Sequence, residues 1–241
     1  MPTIYLILRQ VYVFFYNFFP NSSVLQYRHR ATNPLFGDTK MTTGNKNLLK
    51  IQTSLFQNDG QSSQLINQFA ETWLAANSDG EVVSRDLATS PIPHLDLTRF
   101  QALNSDPAQR TEQQQAIVDF SDVLIDEIRD ADTLVFGIPM YNFSVPSNLH
   151  AYFDHIARAG VTFQYTENGP QGLLTGKRAF VVITRGGFYG EDHAQTNFIR
   201  QFLGFIGIQD VEFVHAEGLA VSGETRNNAL SAAQQRLAQL A

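Results

Sequence analysis

From Asn47 onward, short apolar runs alternate with stretches whose apolar residues recur every three to four positions, the two patterns of buried strand and amphipathic helix. Leu48-Leu49-Lys50-Ile51-Gln52 reads as a first strand ending at Thr53-Ser54. A loop from Leu55 to Gln61 leads into a helix with Leu65, Ile66, Phe69, Trp73 and Leu74 on one face and Ser62 or Ser63 as its N-cap. Residues 81–85 form a second strand. The polar, Pro-interrupted stretch 91–107 reads as a connection without an element of its own. Ile117, Phe120, Leu124 and Ile128 then predict a helix over about 111–129, before a continuous apolar strand at 133–138. A helix over 147–159, an irregular Gly-rich stretch over 160–176 and a strand over 178–184 follow. A helix over 197–206, a strand over 211–215 and a helix over 224–240 close the chain.

Five strands alternating with helices predict an α/β domain with a parallel sheet covered on both faces. Right-handed crossovers favour the doubly wound, flavodoxin-like strand order 2-1-3-4-5.

The first 43 residues break this pattern. The run 11–19 is dominated by aromatics, and residues 1–43 carry four Lys/Arg and one Asp, against 13 Lys/Arg and 22 Asp/Glu in 44–241. The apolar stretch 4–19 is too short for a membrane span and contains Arg9. It also lacks a clean small-residue cleavage site. Residues 1–43 are therefore read as a dispensable N-terminal extension, or as a consequence of translation starting at Met41, and 44–241 as the catalytic domain.

Composition narrows the chemistry. The 241 residues, 43% hydrophobic and 17% charged, contain no cysteine, which excludes disulfides, thiolate metal sites and Cys nucleophiles and fits a cytoplasmic protein. A net charge of −6 argues against a nucleic-acid partner. His150 and His155, five apart on a helix, point to different faces, so no metal site is expected. Gly172–Lys177 is no P-loop: it is one residue short, ends in Arg178 and precedes a strand. Neither G-x-G-x-x-G nor G-x-S-x-G occurs.

In a doubly wound sheet the ligand lies beyond the carboxyl ends of the strands, at the switch point between the first and third. Three unusual segments fall there. Ser54 to Ser63 runs into a helix N-terminus, where amides and the hydroxyls of Ser54, Ser62 and Ser63 can meet an anion. Pro139-Met140-Tyr141-Asn142-Phe143 brackets one amide with apolar residues, which suits a flat heteroaromatic ligand. Thr184-Arg185-Gly186-Gly187 lets backbone approach a ring edge.

Together these segments resemble the FMN-dependent azoreductases, also described as NADH:quinone oxidoreductases. The likeness extends through Tyr152-Phe153-Asp154, Arg158 to Phe163, Tyr165 to Pro170, Gly172 to Lys177 and Phe202 to Gly207. It implies phosphate contacts at Ser54, Gly60, Gln61 and Ser62, and ring contacts at Met140, Tyr141, Asn142, Phe143, Thr184, Arg185, Gly186 and Gly187. It also implies an acceptor pocket that includes Asn142, Tyr165 and Phe205, and a homodimer with the site at the subunit boundary. NADH or NADPH would pass hydride to FMN, which then reduces a quinone or cleaves an azo compound in a ping-pong cycle. Gly60 departs from the Ser, and Thr184 from the Ser, that commonly stand there in the family. A flavodoxin-type electron carrier or a flavin-binding regulator is the alternative on the same fold.

Overall fold

Alternate residues of the central strands enter two different cores. The computed structural model describes residues 46–241, so the expectations for 1–43 lie outside the described residues. In β3 (Thr133–Pro139), Leu134, Phe136 and Ile138 pack on one face and Val135 on the other. The same alternation runs through β1 (Asn47–Gln52) and β6 (Arg178–Thr184). Together with β2 (Glu81–Asp86) and β7 (Asp210–Ala216), these strands form a wholly parallel sheet.

Helices α1 (Gln61–Ala76) and α6 (Gly223–Leu240) cover one face, with Phe69 meeting Phe180 at 4.9 Å between centroids. On the other face, α3 (Glu112–Asp130), α4 (Ser147–Ile156) and α5 (Ala194–Ile206) bury Leu124, Tyr152 and Leu203, while Phe153 stacks on Phe202 at 3.8 Å. Burying each such side chain contributes about 1.5–3 kcal/mol. The helix α3 starts in a capping box between Thr111 and Gln114.

Several expectations are corrected. In chain numbering the sheet order is 2-1-3-6-7, because two further strands intervene. The stretch read as irregular contains β4 (Phe163–Thr166) and β5 (Gly169–Gly172), an antiparallel pair outside the main sheet. Apart from the buried Phe163 and the half-buried Gly169 and Gly172, its residues are exposed, so no alternating apolar pattern marks it. The Pro-flanked connection contains α2 (Leu97–Leu103), whose N-cap Asp96 accepts the Arg99 amide at 2.8 Å. Leu74 and Phe120, assigned to buried faces, are each 39% exposed; Ala70 and Ser121 take the inward positions.

Gly137 sets the height of α1 above the sheet. A Cβ there would lie 2.9 Å from both the Ser62 carbonyl oxygen and the Ile66 Cδ1. Only glycine lets the first turn of α1 come so near to β3. The start of α1 is thereby fixed over the switch point.

Candidate functional site

The carboxyl ends of β1, β3 and β6 lie side by side, since β3 pairs with both of the others. The three segments therefore converge at one edge of the sheet. Tyr141 ties the first to the second: its hydroxyl lies 3.4 Å from Ser54 Oγ and accepts the Leu55 amide at 3.3 Å. Met140 ties the second to the third, donating its amide to Thr184 O at 2.8 Å.

The first segment ends in a cradle. Gly60 packs so closely on Ser54 that a Cβ would fall 2.2 Å from Ser54 Oγ, so a serine at this position would require the Ser54 side chain to move. Gly60 is itself the N-cap of α1, and no side chain caps the helix. Ser62 and Ser63, expected as caps, occupy the second and third helical positions instead. Both are fully buried, and neither hydroxyl has a hydrogen-bond partner among the described residues. A buried, unpaired hydroxyl costs about 1–3 kcal/mol. The uncapped first-turn amides and the helix dipole add further donors of positive character. A phosphate monoester would supply the acceptors that this donor set lacks, and the half-buried Gln61 is the first residue of the same helix.

The second segment is strained. Tyr141 and Ser144 exchange both backbone hydrogen bonds, at 3.1 and 3.0 Å, around Asn142 and Phe143, whose φ angles are 50° and 64°. This is the two-residue hairpin turn with both central residues left-handed. Asparagine tolerates that conformation, whereas phenylalanine holds it at a cost of roughly 1–3 kcal/mol. The turn leaves the Asn142 amide exposed and Phe143 67% exposed, its ring edge-on to Tyr189 at 6.1 Å. Leu55 and Phe56 in the first segment, and Phe188 just after the third, are also exposed.

In the third segment, Thr184 is buried and Arg185 turns its guanidinium inward. Nε donates to Gln195 Oε1 at 3.1 Å, Nη1 to Gly190 O at 2.7 Å and Glu217 Oε1 at 2.8 Å, and Nη2 to Thr196 Oγ1 at 2.7 Å. The Arg185 side chain is thus committed to the protein, not aimed at a ligand. The Gly186 and Gly187 carbonyls accept from Ala220 and Gly218. Burial alone would raise the Glu217 carboxyl, but bonds from Arg185 and from the Gly190 and Tyr189 amides hold it below its usual range. Burial, reinforced by Arg185, lowers His215, whose Nε2 lies 3.3 Å from Thr196 Oγ1.

Tyr165 and Phe205 stand apart from the other predicted residues. They flank Phe163, at 5.7 and 4.3 Å between centroids. Gln195, near the start of α5, donates to Pro139 O and Ser144 O at 3.2 and 3.4 Å. Phe205 lies ten residues further along the helix, and ten helical residues span about 15 Å. Tyr165 and Phe205 therefore gather around Phe163, and Phe205 lies toward the opposite end of α5 from the residue that contacts the Tyr141–Ser144 turn. Gln195 and Glu217 escaped sequence reasoning because their partners are distant in the chain. Among the described residues, no helix is long and apolar enough to cross a membrane.

Comparison with known proteins bears on the fold and the family. A family model described as Flavodoxin-like fold matches residues 46–241. An FMN-dependent NADH:quinone oxidoreductase of Cellvibrio japonicus is 54% identical over 174 residues, covering 71% of this chain and 87% of its own. One from Azotobacter vinelandii is 48% identical over 197 residues, covering 80% and 98%. Among solved structures, an FMN-dependent NADH-azoreductase from Bacillus anthracis in complex with FMN superposes with a TM-score of 0.73 at 26% identity, covering 81% of this chain and 99% of the other. With a family match across the whole described region and the parallel sheet that the family name denotes, this chain belongs to the flavodoxin-like fold family.

Proposed function

We propose that this chain is an FMN-dependent oxidoreductase that takes hydride from NADH or NADPH and reduces quinones and aromatic azo compounds. The observation that carries the reading is the pair of buried, unpartnered hydroxyls of Ser62 and Ser63 at an uncapped helix start. A ligand with a phosphate at one end and a flat ring at the other satisfies that cradle and the apolar rim beside it. The relatives named above, at 54% and 48% identity, are FMN-dependent NADH:quinone oxidoreductases.

In this reading Ser54, Gly60, Gln61, Ser62 and Ser63 hold the phosphate. The backbone of 140–143 and 184–187 borders the ring. Bound FMN supplies a two-electron relay between nicotinamide and acceptor. The exposed Asn142 amide offers a donor and an acceptor to flavin or substrate. Phe143 and Tyr189 keep water from the ring and present a flat apolar surface to an aromatic acceptor. The amides of Gly186 and Gly187, which have no partner among the described residues, can donate to charge that builds on the ring edge.

A homodimer belongs to the same reading. Tyr165 and Phe205, distant from Asn142 in their own chain, reach an acceptor pocket only across a subunit boundary. Cytoplasmic residence is in keeping with the absence of cysteine. The catalytic domain is assigned to 44–241.

Purified protein should be yellow and oxidise NADH or NADPH with benzoquinone, giving parallel lines in double-reciprocal plots. Deleting residues 1–43 should leave FMN content and turnover unchanged. A yellow protein inert to both nicotinamides would instead be an electron carrier. A colourless protein that cannot be reconstituted with FMN would sink the flavin reading.

A further inference from the structure

We infer that Arg185 and Glu217 are a positioning pair that fixes the distance between the two walls of the acceptor site. The inference rests on the functional reading above and deepens it. One wall is the Tyr141–Ser144 turn that carries Asn142 and Phe143. The other is the loop following β6 that carries Phe188 and Tyr189.

The guanidinium of Arg185 reaches both walls. Through Nε it holds Gln195 Oε1, and the same carboxamide donates to Pro139 O and Ser144 O at the base of the turn. Through Nη1 it holds Gly190 O in the other wall, and Glu217 Oε1 beside it. Glu217, just past the end of β7, in turn accepts the Tyr189 amide at 3.2 Å and the Gly190 amide at 3.1 Å. Between the walls, the only aromatic contact among the described residues is that of Phe143 with Tyr189.

Stability alone does not account for this arrangement. The Arg185 side chain is 0% exposed and that of Glu217 16%. A buried ion pair is often no more stabilising than well-packed apolar residues of similar volume. What an apolar substitute could not do is bind two backbone segments in fixed register, which needs a planar donor fork and a two-oxygen acceptor. Three of the N–H bonds of Arg185 are directed to that task, and a fourth goes to the Thr196 hydroxyl in α5. The pair holds the Tyr189 backbone in register with the Tyr141–Ser144 turn and would act without touching substrate.

The test uses the FMN-loaded enzyme with benzoquinone as acceptor. Glu217→Ala should raise KM for the quinone about tenfold, with kcat within about threefold and FMN content unchanged, since one charged acceptor of two amides is lost. Glu217→Gln keeps an oxygen for those amides and should return KM to within about threefold of the parent. Unchanged KM in the Glu217→Ala holoenzyme, whatever its stability, would overturn the proposal; so would Glu217→Gln behaving like Glu217→Ala. Hydrogen exchange on the parent protein gives an answer even if the variants do not fold. The Tyr189 and Gly190 amides should exchange at least about 100-fold more slowly than free amides, despite lying in an exposed loop. Unprotected exchange there would overturn the clamp. Because exchange needs neither turnover nor cofactor, its outcome stays separate from failure of the flavin reading.

Discussion

The two ends of the candidate site are built on opposite principles. At the start of α1, polar groups are buried and left without partners: the Ser62 and Ser63 hydroxyls sit above an uncapped helix terminus. Around Phe143 and Tyr189 the arrangement is reversed. There Arg185, Glu217 and Gln195 satisfy one another and the backbone, while the aromatic side chains are exposed. An unsatisfied polar cradle stores a cost that an anionic ligand removes. A satisfied polar frame carrying exposed rings stores the matching apolar cost, which a flat ligand removes. The difference indicates which end of the ligand goes where.

The sharpest way to break this contrast is to damage the frame. Arg185→Met leaves Glu217 without its charged partner in a buried setting, and should cost about 3–5 kcal/mol in stability. Denaturant unfolding of the apoprotein measures it. Phe143→Gly should do the reverse on a smaller scale. It removes left-handed strain from a bulky residue at some entropic cost, for a net gain of about 1 kcal/mol in the apoprotein. The same variant should bind quinone more weakly, because the ring that shields the site is gone. Smaller still is the effect on the acid limb of the stability–pH curve. Glu217 has a lowered carboxyl pKa in the folded protein, so its contribution is present above its unfolded pKa and is lost as pH falls through the folded value. His215, lowered by burial, works in the same direction. Glu217→Gln should flatten that limb.

How much of this was legible in the sequence depended on whether the signal was local. The strand β6 is legible residue by residue because Ala179 to Ile183 is a continuous apolar run between Arg178 and Thr184. The hairpin of β4 and β5 was not, since it lies outside the main core and only Phe163 is buried. In the candidate site, composition and position in the fold single out Ser54 and Ser62, but Ser62 and Ser63, expected as N-caps, lie two and three residues past the actual cap, Gly60. The family resemblance implies a ring contact at Arg185, and nothing in the local sequence shows its guanidinium turning inward. Its partners Glu217 and Gln195 lie 32 and 10 residues away, and no spacing rule connects them. Pairing at that distance is a property of the fold, not of any window of sequence.

The central claim is that the unpaired serine cradle binds the phosphate of a flavin whose ring lies on the apolar rim. Titration of the apoprotein with FMN and with riboflavin, followed by flavin fluorescence, tests it most directly. FMN should bind one to one, and riboflavin at least about 100-fold more weakly, as expected for the loss of two charge-assisted hydrogen bonds of about 1.5–3 kcal/mol each. In the Ser62→Ala/Ser63→Ala double variant that gap should close to within about tenfold, with apoprotein stability unchanged or slightly raised. Equal affinity for the two flavins in the parent protein, or no binding of either, would contradict the account.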